Sequence, residues 1–265
     1  MNATSEIATG ELNGGPVDPG ALRTLALTNY GHFTTMLVED GRVRGLELHL
    51  RRLARDCRTL FGTALDTERA RHWARRLAPG PGRRILRLTV FDPALDLGRI
   101  AADAAPAVLV TARPAAPGPP GPLRVRTAVH LRDLPEVKSV GLFGALRHRR
   151  AAQRAGFDDV LFTDRESSVS EGGTWNIGFV RGDRVLWPDA PCLTGTAKEL
   201  LRDAGNPRTA PVTVGELEYY EAVFATNAVT GVRPVTLIDD FRFPAAHPTI
   251  RRLAATYREL PTTRL

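Results

Sequence analysis

A run rich in proline and glycine divides this chain of 265 residues into two patterned regions. The run, ARPAAPGPPGP, covers residues 112–122 and contains five prolines and two glycines. Such a composition does not support a continuous helix or strand, because proline lacks an amide hydrogen and glycine is costly to order. We therefore expect a small N-terminal domain at 21–115, a linker at 116–122 and a larger C-terminal domain at 123–265.

The first 20 residues, MNATSEIATGELNGGPVDPG, are polar and rich in glycine. They lack the basic start and the apolar stretch of a secretion signal, so we expect a flexible tail at 1–20 and a cytoplasmic protein. No apolar run reaches the roughly 18 residues that a membrane span requires.

The formal net charge is +7 and the isoelectric point is about 10.2, values that also occur in nucleic-acid-binding proteins. The arginines, however, are spread along the whole chain and mixed with 29 acidic residues. The densest basic stretch, RHRR at 147–150, fits a solvated helix face. We expect no nucleic-acid or membrane partner. The two cysteines, Cys57 and Cys192, form neither a disulfide framework nor a metal-type cluster, so we expect no metal.

Hydrophobic periodicity predicts alternating strands and helices on both sides of the linker. Before it, the predicted elements are a strand at 32–39, a turn at Asp40-Gly41, helices at 46–61 and 66–77, and strands at 83–91 and 107–112. After it, they are strands at 123–130, 158–164, 167–173 and 175–180, a hairpin around Gly182-Asp183, strands at 223–227 and 232–239, and helices at 142–155, 195–204 and 247–258. The fold class is therefore α/β (α+β).

Lysine is scarce: only Lys138 and Lys198 are lysines among 36 basic residues, and all the others are arginine. Arginine cannot replace lysine where chemistry requires a primary amine that loses its proton and attacks a carbonyl. Either lysine is therefore a candidate for covalent chemistry. Chance survival of two surface lysines is the competing interpretation.

Three further features form a chemical set with Lys138, which follows a predicted strand and precedes a predicted helix. Glu171 lies at a strand end beside two glycines, Arg52 lies in a helix, and Gly195-Thr196 opens a helix whose free N–H groups favour an anion. Pyridoxal phosphate (PLP) requires an amine for a Schiff base, an acid for the pyridine nitrogen and a cradle for the phosphate.

Four segments resemble motifs of the class IV (fold-type IV) aminotransferases, which include branched-chain and D-amino-acid aminotransferases and aminodeoxychorismate lyase. In chain order they are GHFTTMLVEDGRVRGLELHLRRL, VKSVGLFGALRHRRAAQRAGFDDVLFTDRESSVSEGGTWNIGFV, LTGTAKELL and ATNAVTGVRPV. The resemblance covers about residues 28–240. It implies a two-domain PLP enzyme with the cofactor between the domains, a homodimer, and amino-acid and 2-oxo-acid substrates.

The resemblance also implies individual roles. Lys138 corresponds to the Schiff-base lysine that also moves a proton at the substrate, and Glu171 to the acid facing the pyridine nitrogen. Arg52 corresponds to the phosphate-binding arginine. The remaining cofactor-binding positions that correspond to family motifs are Gly195, Thr196, Ala197, Asn227 and Ala228.

The chain departs from the family at several positions. Phe143 replaces a tyrosine that bonds the cofactor's ring oxygen, Ala197 and Ala228 replace hydroxyl residues near the phosphate, and Thr34 replaces a glutamate. Each lost hydroxyl is expected to weaken cofactor binding by about 1 kcal/mol unless a neighbour substitutes. The candidate substitutes are Thr194, Thr196 and Thr226.

Three functions fit this sequence: an aminotransferase, an aminodeoxychorismate-type lyase with the same lysine, and a non-catalytic relative. Four side chains have an alternative assignment. Arg51 competes with Arg52 for the phosphate position, although the HxxRL spacing favours Arg52, and His49 is expected to be a packed helix residue. Arg87 lies either near the substrate or on a sheet edge. Lys198 is expected to be a helix-surface cation, because the family usually has arginine there.

Overall fold

The computed structural model describes residues 9–118 and 120–265 of the chain. The described residues divide into two compact units: unit 1 contains those up to Pro117 together with 137–141 and 261–265, and unit 2 contains those from Gly118 to Glu136 together with 142–260. The division at Pro117 and Gly118 falls inside the predicted linker.

Within the described residues up to Arg181, nine strands and four helices follow one another. In order they are β1 (Thr9–Leu12), α1 (Pro19–Thr28), β2 (His32–Glu39), β3 (Arg42–Arg44), α2 (Leu46–Phe61), α3 (Thr67–Leu77), β4 (Arg83–Phe91), β5 (Ala107–Pro114), β6 (Leu123–Val129), α4 (Phe143–Arg154), β7 (Asp159–Thr163), β8 (Val169–Gly172) and β9 (Asn176–Arg181).

The remaining elements are β10 (Arg184–Pro188), α5 (Thr196–Leu200), β11 (Pro207–Ala210), β12 (Ala222–Asn227), β13 (Gly231–Ile238), β14 (Phe241–Arg242), α6 (Pro248–Glu259) and β15 (Thr262–Arg264). Two short 3-10 helices lie at Leu97–Arg99 and Val214–Tyr219.

Unit 1 is built on a six-stranded antiparallel sheet with the order β1-β5-β4-β2-β3-β15. Its core lies between the sheet and the apolar faces of α2 and α3. The α2 face follows from helical spacing, since Leu46, Leu50, Leu53 and Cys57 are all buried. The left-handed Gly62 then ends α2, as predicted.

Unit 2 is built on a nine-stranded mixed sheet with the order β11-β10-β9-β12-β13-β6-β7-β8, and β14 pairs with β13. The α4 connection between β6 and β7 is a parallel crossover. The β9–β10 hairpin turns at Gly182, as predicted, and α6 packs on β13.

The other predicted strands and the helices at 46–61, 66–77, 142–155 and 247–258 are confirmed to within two residues of each bound, and the strand at 107–112 continues to Pro114. The first three residues of the proline-rich run, 112–114, therefore belong to strand β5. Proline is tolerated there because Pro114 ends the strand.

Three expectations are corrected. The helix predicted at 195–204 is only Thr196–Leu200, because the hydrogen bonds after it tighten to the i→i−3 type, as between Ala204 N–H and Leu201 C=O. Within the predicted tail at 1–20, residues 9–12 form β1 and α1 begins at Pro19; residues 1–8 lie outside the described residues. The strand β1 stays in place because it pairs with β5.

The third correction concerns the domain at 123–265, because 137–141 and 261–265 cluster with unit 1. The strand β3 covers only the last two residues of β2, so that the first part of β2 is left open on that side. Residues 137–141 lie along this open part, where Val140 N–H donates to Gly31 C=O. At the end of the chain, β15 pairs with β3.

Candidate functional site

Lys138 lies in the segment of unit 1 that runs along β2. Its backbone N–H donates to Asp56 Oδ2 at 3.0 Å, and its C=O accepts from Phe33 N–H at 2.9 Å. The side-chain Nζ lies 4.9 Å from the centroid of the Phe33 ring. The main chain at Lys138 is therefore fixed to α2 and β2, and the amine lies beside an aromatic ring.

Arg87 lies on β4 next to the same aromatic ring, with Cζ 3.6 Å from the Phe33 centroid. Its Nε donates to Thr89 Oγ1 at 3.1 Å, and no acidic side chain among the described residues pairs with it. Burial lowers the pKa of Arg87. The edge-strand alternative is wrong, because β4 lies between β2 and β5. Unit 1 therefore places an amine and an unpaired guanidinium around one ring.

Arg52 is a buried cation on α2. Its Nη2 donates to Thr34 Oγ1 at 2.7 Å, and that oxygen lies 2.7 Å from His49 Nδ1. Burial lowers the pKa of Arg52 to about 10, although the charge of Asp56 opposes the shift. Arg51, in contrast, is exposed, so that the solvated position predicted for it is confirmed.

Two histidines beside Arg52 are held neutral. His49 is fully buried, and its pKa lies well below the usual value because of burial and then because of the charges of Arg52 and Lys138. Burial, with a contribution from Arg52, lowers the pKa of His32 to about 4. The packed position predicted for His49 is confirmed. The positive charge near β2 is consequently carried by arginine and lysine.

Glu171 lies on β8 in unit 2 and is buried. Its Oε1 accepts from Arg132 Nη1 at 3.3 Å and from the backbone N–H of Leu193 at 3.3 Å. The ion pair with Arg132 compensates part of the cost of burying a carboxylate. Glu171 is thereby linked to the turn that leads into α5.

Asn176 holds that same turn from the first position of β9. Its Nδ2 donates to Leu193 C=O at 2.7 Å, and its Oδ1 accepts from Gly195 N–H at 3.0 Å. A Cβ at position 195 would lie 2.3 Å from Asn176 Oδ1, so the approach requires glycine. The helix α5 begins directly afterwards with Thr196 and Ala197, which are both buried.

A second turn follows β12, the strand that pairs with β9. Asn227 Oδ1 accepts from the backbone N–H groups of Val229 at 3.0 Å and Thr230 at 2.9 Å. One residue earlier, Thr226 lies directly opposite Asn176 in the antiparallel β9–β12 pair. Unit 2 therefore brings the predicted residues at 195–197 and 227–228 to one end of this strand pair, and Glu171 is connected to the first of these turns.

The three hydroxyls considered as substitutes differ in position. Thr194 is exposed and Thr196 is buried, whereas Thr226 is buried and its Oγ1 has no hydrogen-bond partner among the described residues. Phe143, which replaces the family's tyrosine, is 79% exposed at the start of α4.

Lys198 is less exposed than predicted. Its Nζ lies 5.6 Å from the Trp187 ring centroid and 3.8 Å from Cys192 Sγ. Burial raises the pKa of the Cys192 thiol, and the Lys198 charge opposes this shift. Lys198 is therefore a half-buried cation packed on an aromatic side chain.

The structure adds residues that the motifs did not assign. Asp56 lies one helical turn after Arg52, a spacing that could have identified it, whereas Arg132 is linked to Glu171 only through the fold. Within the described ranges 9–118 and 120–265, no helix is long and apolar enough to span a membrane. The same residues contain no group of three or more side chains able to hold a metal ion.

Comparison with known proteins identifies the family. A model of the amino-transferase class IV family matches residues 31–238. Comparison with curated protein sequences finds no match.

Several solved structures share the fold. A hypothetical aminotransferase from Mycobacterium tuberculosis in its PLP-bound form is 21% identical, with a TM-score of 0.78 over 94% of this chain and 97% of that chain. A 4-amino-4-deoxychorismate lyase from Pseudomonas aeruginosa is 25% identical, with a TM-score of 0.81 over 95% and 98%. A branched-chain aminotransferase from Thermoproteus uzoniensis is 18% identical, with a TM-score of 0.81 over 95% and 94%.

These matches confirm the expected fold-type IV class, since a fold IV transaminase from Curtobacterium pusillum also superposes, with a TM-score of 0.75 over 88% of this chain and 85% of that chain, at 24% identity. The family model covers more than half of the sequence. The chain belongs to the class IV aminotransferase family.

Proposed function

We propose that this protein is a PLP-dependent aminotransferase that transfers an amino group between an amino acid and a 2-oxo acid. The observation that carries the proposal is the arrangement around Phe33, where the Lys138 amine and the unpaired Arg87 guanidinium contact one ring. Both substrate types carry a carboxylate, for which a fixed guanidinium is the preferred partner. An amine beside that cation is suited to proton transfer at the adjacent carbon.

The described residues fit the proposed cofactor. Arg52 is a buried guanidinium whose Nε has no hydrogen-bond partner and which pairs with no acidic side chain among the described residues. A buried cation of this kind is costly unless an anion joins it. In unit 2, the Thr226 hydroxyl is also buried without a partner in the part of the chain that the structure describes. Each of these two donors by itself suits an anionic group such as a phosphate.

The proposed roles follow the sequence prediction. Lys138 bonds the cofactor, Arg52 binds its phosphate, and Glu171 faces its ring nitrogen. In unit 2, backbone N–H groups at the two turns have the same proposed role in phosphate binding, with contributions from Gly195, Thr196, Ala197, Asn227 and Ala228.

When bound, PLP supplies an electron sink for negative charge that develops at the substrate's α carbon. Lys138 would hold the cofactor and would carry the proton between the substrate's α carbon and the neighbouring cofactor carbon, while Arg87 would hold the substrate carboxylate. The negative charge of Glu171 would favour a protonated ring nitrogen, and the ion pair with Arg132 fixes the position of the carboxylate. Arg52 maintains the position of the phosphate through the reaction.

A lyase of the aminodeoxychorismate type is the second candidate. It is supported by the 25% identity to the Pseudomonas aeruginosa lyase, which exceeds the identity to each aminotransferase named above. The same amine and guanidinium suit a carboxylate substrate that eliminates pyruvate. We also propose a cytoplasmic location, which the N-terminal sequence implies, and a homodimer, which the family resemblance implies.

Absorbance spectroscopy and product analysis test these functions. We expect the purified protein with PLP to be yellow, and a suitable amino acid to convert the bound cofactor to its pyridoxamine form. Pyruvate release from aminodeoxychorismate without this conversion by any amino donor would establish the lyase instead. A protein that stays colourless with added PLP would overturn both enzymatic functions and leave the non-catalytic relative.

A further inference from the structure

Asp56 is a buried carboxylate on α2 that the proposed mechanism does not use. It is completely inaccessible to solvent and lies one turn after Arg52, on the helix face that packs on β2. Burial of a carboxylate costs several kcal/mol unless charges and hydrogen bonds compensate it. The contacts of Asp56 therefore indicate what the residue stabilises.

The two oxygens of Asp56 have different partners. Oδ1 accepts from Arg55 Nε at 3.0 Å and from Arg55 Nη2 at 2.7 Å. Oδ2 accepts the backbone N–H of Lys138 at 3.0 Å. The half-exposed Arg55 side chain balances the charge, and the second oxygen remains directed at the lysine's own peptide group.

This contact holds the main chain at Lys138 on one side of the residue. On the other side of the residue, the Lys138 C=O accepts from Phe33 N–H at 2.9 Å. The direction in which a side chain leaves the backbone follows from the orientation of its two peptide groups. Because both peptide groups are held, the Lys138 side chain leaves the backbone in a fixed direction next to the Phe33 ring.

We infer that Asp56 is a positioning residue for Lys138, which fixes the lysine's backbone N–H so that the amine can bond the cofactor. This inference rests on the proposed role of Lys138. It concerns a residue that does not contact the cofactor. Because Arg52 remains in place to bind a phosphate, loss of Asp56 should weaken the binding of those ligands that also depend on Lys138 more than the binding of ligands that do not.

Two forms of the cofactor separate this effect from a general loss of structure. PLP has an aldehyde that bonds a lysine amine, whereas pyridoxamine phosphate has an amine in its place and forms no such bond. Both have the same phosphate. We expect Asp56→Ala to weaken PLP binding about tenfold or more, the range for loss of a hydrogen bond to a charged group, and to leave pyridoxamine phosphate within about twofold.

Asp56→Asn is the matched variant, because its amide oxygen can still accept the Lys138 N–H. We expect it to retain PLP affinity within about threefold of the wild-type protein. Affinities are measured on the full-length protein by titration followed by absorbance and fluorescence. The yield of covalent adduct after borohydride reduction provides a second readout, which should fall in Asp56→Ala and recover in Asp56→Asn.

The inference would be overturned if Asp56→Ala bound PLP as well as the wild-type protein, or if it lost PLP and pyridoxamine phosphate by the same factor. Equal losses of PLP in Asp56→Asn and Asp56→Ala would also contradict it. Failure of the proposed function is distinguishable, because the wild-type protein itself would then form no reducible adduct with PLP.

Discussion

Arg52 donates from Nη2 to Thr34 Oγ1 at 2.7 Å, and this threonine stands where the family has glutamate. A glutamate at this place would pair with the guanidinium, whereas a hydroxyl orients it and leaves its charge unneutralised. The same Thr34 oxygen also contacts His49, which burial keeps neutral. The Arg52 guanidinium therefore keeps its positive charge and is available to bind an anion.

Thr34→Val should weaken the binding of PLP by about tenfold, because a hydrogen bond to a charged group is lost. Binding of pyridoxal, which has no phosphate, should be unchanged. Titration of the apo-protein with both compounds measures the two affinities, and Thr34→Ser should restore the PLP value. Equal weakening of both compounds would show that Thr34 does not act through the phosphate.

Arg87→Met should raise the KM for both the amino donor and the 2-oxo acid by about tenfold or more, since each substrate loses a charge-assisted carboxylate contact. Steady-state kinetics with varied concentrations of each substrate provide the measurement. Arg113→Met on the neighbouring strand β5 is the control, because Arg113 is exposed. An unchanged KM in Arg87→Met would show that Arg87 does not bind the substrate carboxylate.

Much of the fold follows from local patterns. The apolar spacing of α2 and the turn at Asp40-Gly41 are encoded within a few residues, and both residues of that turn adopt the positive φ angles that a tight hairpin requires. Asp18 could have indicated α1, since it caps the helix directly before a proline. The length of α5 was overestimated, because its apolar pattern continues after the helical hydrogen bonds have changed.

Less of the candidate site than of the fold could be predicted from the sequence. The family motifs identified single positions, and the burial of Arg52 agrees with the HxxRL spacing. The contacts of Asp56 with Lys138 and of Arg132 with Glu171 join residues 82 and 39 positions apart, so no local pattern contains them. The pairing of Asn176 with Thr226 likewise depends on strand order.

Gly195→Ala should destabilise unit 2 by about 1–3 kcal/mol, because the new Cβ would lie 2.3 Å from Asn176 Oδ1. Gly215→Ala is the matched control, since a Cβ there meets no atom within 4 Å. Urea unfolding measures both. In the double variant with Asn176→Ala, the loss of unfolding free energy should be smaller than the sum of the losses in the two single variants, as expected for residues in contact. Full additivity would contradict the proposed clash.

His32 should make stability depend on pH. Burial lowers its pKa in the folded protein from the ordinary value of 6.5 to about 4, so the unfolded chain binds a proton between these values and the folded protein does not. Stability should therefore fall by on the order of 3 kcal/mol as the pH falls from 6.5 to 4. Urea unfolding at several pH values tests this, and His32→Leu should make the fall in stability less steep in this window, while the buried His49 still contributes to it. An unchanged slope in His32→Leu would assign the dependence to other groups.

Lys138 is the centre of the account, and the scarcity of lysine makes its role directly testable. Apart from the N-terminal amine, Lys138 and Lys198 provide the only primary amines in the chain. Lys198→Arg should keep its turnover, because Lys198 packs against Trp187 as a cation. Lys138→Arg should abolish turnover, since a guanidinium does not replace the amine.

The most direct measurement is borohydride reduction of the protein loaded with PLP, followed by proteolysis and mass spectrometry of the peptides. The account predicts that the reduced cofactor is attached to Lys138, and that the Lys138→Arg variant carries none. Attachment to Lys198, or a wild-type protein that yields no modified peptide, would contradict it.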